Sequence, residues 1–268
     1  MKQTGVSLGG GSLRGVAHIG VLKELINNDI EITHLAGTSA GSVVGGLFAC
    51  GMCPEKMRSV LHNLSIRRHI DIGLNRKGWI KGDRIYHTLQ KLTDGKHFSD
   101  LEIPFAVICV DLVSGEMVVI DSGEVALAIR ASIAIPGVFS PVEVGNKLLV
   151  DGYILNNNPA DIVRGMGAEN VTSVRVRSSN SQQPTNIISY LNRYIDIASH
   201  KNTDRCLKEH ADLLIDIDLH DIGRFETKNL SKVIELGQLE TRRVLLHKNN
   251  MESNSKIVYL DQWLRKIH

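Results

Sequence analysis

The sequence predicts an α/β protein with a largely parallel sheet and helices on the faces of that sheet. Three observations favour this class. Short apolar segments alternate with segments whose apolar residues recur at helical spacing, glycine-rich turns join them, and aromatic residues make up only 4% while glycines number 24. Alternating strands and helices are typical of a mainly parallel sheet with helices covering its faces.

The first two strand–helix pairs support this prediction most directly. Residues 6–8 and 32–36 have the short apolar pattern of strands. Each is followed by a glycine-containing turn and then by a predicted helix, at residues 14–27 and 42–49, the second of which ends at Gly51. Ligands of such sheets bind beyond the carboxyl ends of the strands. Both glycine turns are therefore expected to face one pocket.

The remaining elements are predicted less regularly. A Gly145-Asn146 pair suits a two-residue turn, which predicts a hairpin of residues 142–144 and 147–150. Residues 54–100 have weak periodicity and are interpreted as helices and loops. The other predicted elements are strands at 105–111, 117–121, 171–176, 213–217 and 257–260, a helix at 126–132, a loop at 178–186, and mostly helix beyond 187.

Composition excludes several classes of function. A net charge of +2 gives no case for nucleic-acid binding, and the short basic clusters Arg67-Arg68-His69 and Arg242-Arg243 are interpreted as solvated helix faces. The four cysteines suggest neither a disulfide framework nor, at Cys50 and Cys53, a complete metal site. No signal peptide or long apolar run is visible, so a soluble cytoplasmic protein without cofactor or metal is expected.

The second glycine turn, Gly37-Thr38-Ser39-Ala40-Gly41, holds the candidate nucleophile. A serine hydroxyl reacts readily only when a base takes its proton and when it projects clear of the backbone. A strand–turn–helix elbow provides that projection, and glycines two residues to either side let strand and helix pass closely. The helix start also favours negative charge. The sequence therefore predicts Ser39 as the nucleophile of an acyl hydrolase.

The first glycine turn, Gly9-Gly10-Gly11-Ser12-Leu13-Arg14-Gly15, is a candidate anion site. Such a loop exposes several backbone N–H groups at a helix N-terminus, where they can hold a phosphate or stabilise the oxyanion of acyl transfer. Arg14 is interpreted either as holding the loop in place or as attracting an anionic head group.

Asp151-Gly152 follows the last strand of the predicted hairpin, so the carboxylate is expected at a strand end. An aspartate within hydrogen-bond reach of a serine can act as its general base. By itself an Asp-Gly pair is more often a plain turn. Its interest comes from Ser39 and the glycine loop.

In this order the motifs resemble the patatin-like phospholipase family, especially its bacterial members, over roughly residues 5–177. The segments that carry the resemblance are the glycine loop with Arg14-Gly15-Val16-Ala17-His18-Ile19-Gly20-Val21-Leu22, the elbow at Ser39, Arg130-Ala131-Ser132-Ile133-Ala134-Ile135-Pro136-Gly137-Val138-Phe139, and Val150-Asp151-Gly152 with Asn156-Asn157-Asn158-Pro159.

The resemblance implies a three-layer α/β/α fold with a mainly parallel sheet, and hydrolysis of lipid acyl esters by a Ser39–Asp151 dyad without histidine. It implies a single domain over 1–268, with a motif-bearing core at about 5–177 and a mostly helical extension at 187–268. A lipid or ester substrate and transient contact with a membrane surface are expected. The resemblance assigns oxyanion amides to Gly10, Gly11 and Ser12, and supporting roles to Arg14, Gly37, Gly41 and Gly152.

Two residues depart from the family pattern. Serine stands at position 12, where the family usually has glycine, so that a positive φ there would be strained. Tyr153 replaces the glycine or alanine that usually follows Asp-Gly, and it is expected to narrow the pocket or to donate a hydrogen bond.

Three alternatives remain open from the sequence. The order of a Ser-His-Asp hydrolase is possible because His200, His210, His220 and His247 all follow Asp151, although Ser39 comes early for that fold. A dinucleotide-binding domain lacks the third glycine and the acidic residue that it needs. A catalytically silent lipid-binding module on the same fold is the third alternative.

Overall fold

The computed structural model describes residues 2–63, 72–75, 78–177, 183–185, 187–220, 222–223 and 229–252. The basic cluster Arg67-Arg68-His69 and the strand predicted at 257–260 lie outside these residues, as does most of the loop predicted at 178–186.

The described residues form ten strands and eight α-helices. The strands are β1 (Lys2–Leu8), β2 (Ile30–Thr38), β3 (Ile72–Asn75), β4 (Gly78–Ile80), β5 (Phe105–Asp111), β6 (Met117–Ile120), β7 (Val142–Val144), β8 (Lys147–Asp151), β9 (Val171–Arg177) and β10 (Leu213–Asp218). The helices are α1 (Ala17–Asn27), α2 (Ala40–Ala49), α3 (Pro54–Asn63), α4 (Asp83–Leu92), α5 (Val125–Ser132), α6 (Ala160–Gly165), α7 (Ile187–His210) and α8 (Leu230–Glu252). Short 3-10 turns occupy Ser12–Val16, Phe98–Asp100 and Gly152–Ile154.

The central sheet has the strand order β10-β9-β1-β2-β5-β8-β7, with β6 also paired to β5. The pairs from β10 through β5 are parallel, whereas β6, β7 and β8 pair antiparallel. The predicted mainly parallel sheet is confirmed. In its antiparallel part, tight turns join β5 to β6 and β7 to β8, whereas the connection from β6 to β7 contains α5.

Helices cover both faces of the sheet because successive strand residues point to opposite sides. On β2, for example, buried Leu35 joins the larger apolar core and buried Ala36 joins the smaller one on the other face. Helices α1, α2, α5 and α8 contribute to the larger core, while α6 and the C-terminal part of α7 pack on the smaller one. This arrangement confirms the three-layer α/β/α architecture.

The C-terminal helix α8 packs closely against α1. A Cβ added at Gly20 would overlap the Ile234 carbonyl, and one added at Gly237 would overlap the Ala17 carbonyl, so glycine is required at this crossing. Beside it the buried carboxylate of Glu24 accepts a hydrogen bond from Arg242, 2.8 Å away. The Arg242 side chain is 53% exposed, as predicted for a solvated helix face, and it also pairs with the neighbouring helix.

The interpretation of residues 54–100 as helices and loops was incomplete. This segment contains α3 and α4 but also the antiparallel pair of β3 and β4. Strands of four and three residues are too short to show an alternating pattern. The helix predicted to begin at residue 14 also differs, since a 3-10 turn precedes the α-helix that starts at Ala17.

Candidate active site

Ser39 lies in a strained turn between β2 and α2. Its φ of 53° and ψ of −123° are unusual for a residue with a side chain, and such strain concentrates at functional sites. A Cβ on Gly37 would lie 2.6 Å from the Gly41 carbonyl carbon, and a Cβ on Gly41 would overlap the Leu8 carbonyl. Both positions therefore require glycine, as the sequence predicts for an elbow.

The Ser39 hydroxyl donates a hydrogen bond of 2.6 Å to Oδ2 of Asp151. Both residues are buried. The Ser39 backbone N–H donates to Ser132 Oγ at 2.8 Å, and Ser132 in turn donates to the Ile108 carbonyl at 2.7 Å. The sequence reasoning gave Ser132 no role of its own, although it lies within the Arg130–Phe139 segment that carries the family resemblance.

Strand β5 brings Ser39 and Asp151 together. β2 pairs with its first half, ending with Thr38 opposite Ile108, and β8 pairs with its second half, beginning with Asp151 opposite Cys109. β6 pairs with both halves, so it must occupy the other edge of β5. Strands β2 and β8 therefore pair with the same edge of β5. Pairing with β8 begins where β2 ends and the chain turns at Ser39.

The turn after Asp151 fixes its carboxylate. Oδ1 accepts the Tyr153 backbone N–H at 3.0 Å, which leaves Oδ2 directed at Ser39. A Cβ on Gly152 would lie 2.6 Å from the Ile108 carbonyl oxygen, so glycine is needed there. The neighbouring Cys109 thiol is fully buried, and burial, with a further contribution from the Asp151 charge, raises its pKa.

The glycine loop reaches the site but departs from the sequence expectation at Gly10. The Gly10 N–H donates to Asn157 Oδ1 at 2.8 Å, so it is engaged within the protein rather than free to receive an oxyanion. A Cβ on Gly10 would lie 3.1 Å from Ser39 Cβ and 2.8 Å from the Tyr153 ring. Gly10 thus allows the loop to pass directly over the nucleophile, beside the half-buried Tyr153.

The backbone N–H groups of Gly11 and Ser12 fit the predicted role of oxyanion donors better than that of Gly10. Neither donates a hydrogen bond within the described residues. Ser12 has a φ of 54°, which is the strained left-handed conformation expected if serine occupies a glycine position. Arg14 is only 7% exposed in the 3-10 turn that follows. That burial favours a role in holding the loop over a role in attracting a head group.

Asparagines after Asp151 also hold the loop. The Asn157 side chain accepts a hydrogen bond from the Gly10 N–H, and the Asn158 side chain donates one to the Val174 carbonyl at 2.7 Å. A Cβ on Gly9 would lie 2.7 Å from the Asn158 amide. These asparagines belong to a segment that carries the family resemblance, but no role was predicted for them. The sequence feature that could have identified them is the run of consecutive asparagines shortly after a candidate catalytic aspartate.

His18 supports the loop from the first helix. Its Nε2 lies 2.7 Å from the Gly9 carbonyl oxygen, which it reaches as a donor. Complete burial lowers the pKa of His18 from 6.5 to about 4, and the hydrogen bond to Gly9 opposes this only in part. The imidazole is therefore neutral at pH 7. Within the described part of the chain, the Ser39 hydroxyl has Asp151 as its partner and no histidine.

Burial of His18 leads to a pH-dependent stability. The unfolded chain protonates this residue near pH 6.5, whereas the folded protein resists protonation down to about pH 4. The free energy of unfolding should therefore fall as the pH drops from about 6.5 to about 4, by up to about 3 kcal/mol from this group. Urea unfolding across this range tests it. His18→Gln should flatten the profile, and an unchanged slope would contradict the assignment.

Within the described residues, the cysteines and the other potential metal ligands form no second candidate site. Cys50 and Cys53 are free thiols, and burial raises the pKa of Cys50 to about 11. Among the residues that the structure describes, no three His, Cys, Asp or Glu side chains cluster as metal ligands. In the same residues, no helix combines the length and the apolar character that crossing a membrane requires.

Comparison with known proteins identifies the family to which the chain is similar. Residues 6–164 match the family model of the patatin-like phospholipases. An uncharacterised NTE-family protein of Mycobacterium tuberculosis is 34% identical over 197 residues, which are 71% of this chain and 55% of that protein. The patatin-like phospholipase domain-containing protein 6 of Mus musculus is 30% identical over 191 residues, covering 68% of this chain and 14% of that protein.

A solved structure shares the fold. The crystal structure of VipD from Legionella pneumophila aligns with a TM-score of 0.65 at 14% identity, over 91% of this chain and 66% of that one. The chain spans about half the length of its mycobacterial relative and a smaller share of the mouse protein. The family match covers more than half of the chain, from β1 into α6, and includes Ser39 and Asp151. The chain belongs to the patatin-like phospholipase family.

Proposed function

We propose that this protein is a serine acyl hydrolase that cleaves lipid acyl esters, with Ser39 as nucleophile and Asp151 as general base. One observation carries the proposal: the Ser39 hydroxyl, held in a strained elbow, donates a 2.6 Å hydrogen bond to a buried carboxylate. A positioned base at this distance is what a serine needs to attack a carbonyl. Family membership supports the lipid substrate class.

In the first step Asp151 Oδ2 takes the Ser39 proton while Ser39 Oγ bonds to the ester carbonyl carbon. The Gly11 and Ser12 amides stabilise the resulting oxyanion. Collapse of this intermediate breaks the bond to the alcohol, which leaves with the proton from Asp151, and the acyl group remains on Ser39. Water then gives a proton to Asp151 and attacks the acyl-enzyme, releasing the fatty acid and restoring the serine.

Ser39→Ala should abolish hydrolysis without unfolding the protein. Loss of the attacking oxygen is expected to lower kcat by at least about 10³-fold, because no covalent intermediate can form. A panel of soluble esters, lysophospholipids and diacyl phospholipids, tested with wild type and variant, checks this and identifies the substrate class.

Ser114→Ala is the matched control. Ser114 also donates to a carboxylate, that of Asp111 at 3.0 Å, but it lies on an exposed turn, whereas Ser39 is buried. This variant should keep wild-type activity. Hydrolysis that persists in Ser39→Ala would exclude the proposed nucleophile. Lipid binding without turnover by the wild type would instead identify a catalytically silent lipid-binding module.

A further inference from the structure

Helix α7 carries a continuous exposed apolar stripe. Ile187 is 85% exposed, and the other members are Tyr190 (61%), Leu191 (39%), Tyr194 (69%) and Ile197 (60%). Spacings of three and four residues place these side chains on one face of a helix. Contiguous apolar surface of this kind is uncommon on soluble proteins and indicates an interaction site.

The stripe lies next to the proposed active site. Helix α7 packs against the 3-10 turn Gly152–Ile154, which directly follows Asp151. Leu191 reaches to within 3.8 Å of the position that a Cβ on Gly137 would occupy, in the segment after Ser132. A partner bound to the stripe would therefore lie close to the turn that follows Asp151.

A pair of exposed apolar residues lies at the end of the sheet where Ser39 lies. Leu112 and Val113, 50% and 73% exposed, follow the carboxyl end of β5. Ser39 follows the carboxyl end of the adjacent parallel strand β2. Leu112 and Val113 therefore lie at the same end of the sheet as Ser39.

The charged side chains of α7 that are exposed near the stripe are positive. The exposed side chains of α7 between residues 187 and 205 include Arg193, Lys201 and Arg205. The two carboxylates in this span, Asp196 and Asp204, are only partly exposed, and Asp204 pairs with Arg175 at 2.7 Å. A surface that combines aromatic and aliphatic side chains with exposed cations complements an anionic lipid headgroup layer.

We propose that α7 is an interfacial helix that seats the protein on anionic phospholipid bilayers and so places Ser39 at the lipid surface. The proposal rests on the proposed lipid hydrolase function. Tyrosine suits the boundary between headgroups and acyl chains because its ring is apolar and its hydroxyl is polar. The apolar stripe would enter the bilayer surface, while Arg193 and Lys201 would contact phosphate groups.

The test compares wild type with the triple variant Tyr190→Ser, Tyr194→Ser, Ile197→Ser. Each protein is co-sedimented with vesicles of phosphatidylcholine, with and without phosphatidylglycerol. Wild type should bind the anionic vesicles more tightly. The triple variant should bind them at least about 10-fold more weakly, because it loses three of the side chains whose apolar surface would enter the bilayer. Leu239→Ser with Leu246→Ser is the matched control, because both leucines are 57% exposed on α8, on the opposite face of the sheet.

Hydrolysis assays distinguish a failure of this proposal from a failure of the proposed function. The triple variant should hydrolyse a water-soluble short-chain ester at the wild-type rate while losing activity on vesicles. Absence of soluble-ester hydrolysis in wild type contradicts the enzyme assignment, whereas vesicle binding by Ser39→Ala tests the docking surface alone. Equal vesicle binding by wild type and triple variant overturns the inference. A wild-type dimer that dissociates in the triple variant also overturns it, since the stripe would then bind a second copy.

Discussion

Asp151→Asn is expected to lower kcat by about 10²–10⁴-fold, the range that a general base contributes. Asparagine keeps the size of the side chain, and its amide oxygen can still accept the Tyr153 N–H that now bonds Oδ1 at 3.0 Å. An amide cannot take the Ser39 proton, however. The serine would therefore stay in place without a base. Steady-state kinetics on the best ester of the substrate panel measures the effect, and thermal unfolding verifies the fold.

Asp111→Asn provides the matched control for Asp151. Asp111 is the last residue of β5. Its carboxylate accepts hydrogen bonds from the backbone N–H groups of Leu148 and Val113 and from the Ser114 hydroxyl. The Leu148 hydrogen bond, the largest cause, lowers the pKa of Asp111, so this carboxylate is charged and structural. Its variant should lose thermal stability but retain kcat. If Asp151→Asn keeps full activity, Asp151 is not the base.

Gly41→Ala is expected to reduce the free energy of unfolding by about 3 kcal/mol or more, as overpacking at a rigid contact does. The added Cβ would overlap the Leu8 carbonyl of β1, and a backbone group has no rotamer by which to move away. Displacement of α2 would also shift Ser39 from Asp151. The variant should therefore be both less stable and inactive.

Gly165→Ala tests whether any alanine would have this effect. Gly165 ends α6, and nothing lies within 4 Å of its added Cβ. This variant should be neutral or stabilised by up to about 1 kcal/mol, because alanine restricts the unfolded chain. Urea denaturation and ester hydrolysis of both variants decide the comparison. Wild-type stability and activity in Gly41→Ala would show that the elbow tolerates a side chain there.

Local patterns predicted the elements that place the nucleophile. The alternation of apolar strand and glycine turn predicted β1, β2 and α2, and the glycines two residues from Ser39 predicted the elbow. Serine at position 12, where the family usually has glycine, was expected to be strained if φ is positive there, and its φ is 54°. These features depend on neighbouring residues, so the sequence contains the information directly.

Features that depend on distant contacts were not predictable in the same way. Strand β8 pairs antiparallel with β5, and only this register brings Asp151 beside Ser39. The hydrogen bond between Gly10 and Asn157 joins residues 147 positions apart, and it removed one expected oxyanion donor. Periodicity shows that α7 is helical, but which of its faces stays exposed depends on packing against α6 and the turn after Asp151.

The most direct test of the dyad is covalent labelling with a fluorophosphonate probe, followed by mass spectrometry of the digested protein. The probe should modify Ser39, because the reaction requires a serine oxygen activated by a base within hydrogen-bond reach. Labelling should disappear in Ser39→Ala and slow markedly in Asp151→Asn, while Ser114→Ala should label like wild type. Modification of another residue, or undiminished labelling of Ser39→Ala, would contradict Ser39 as the nucleophile.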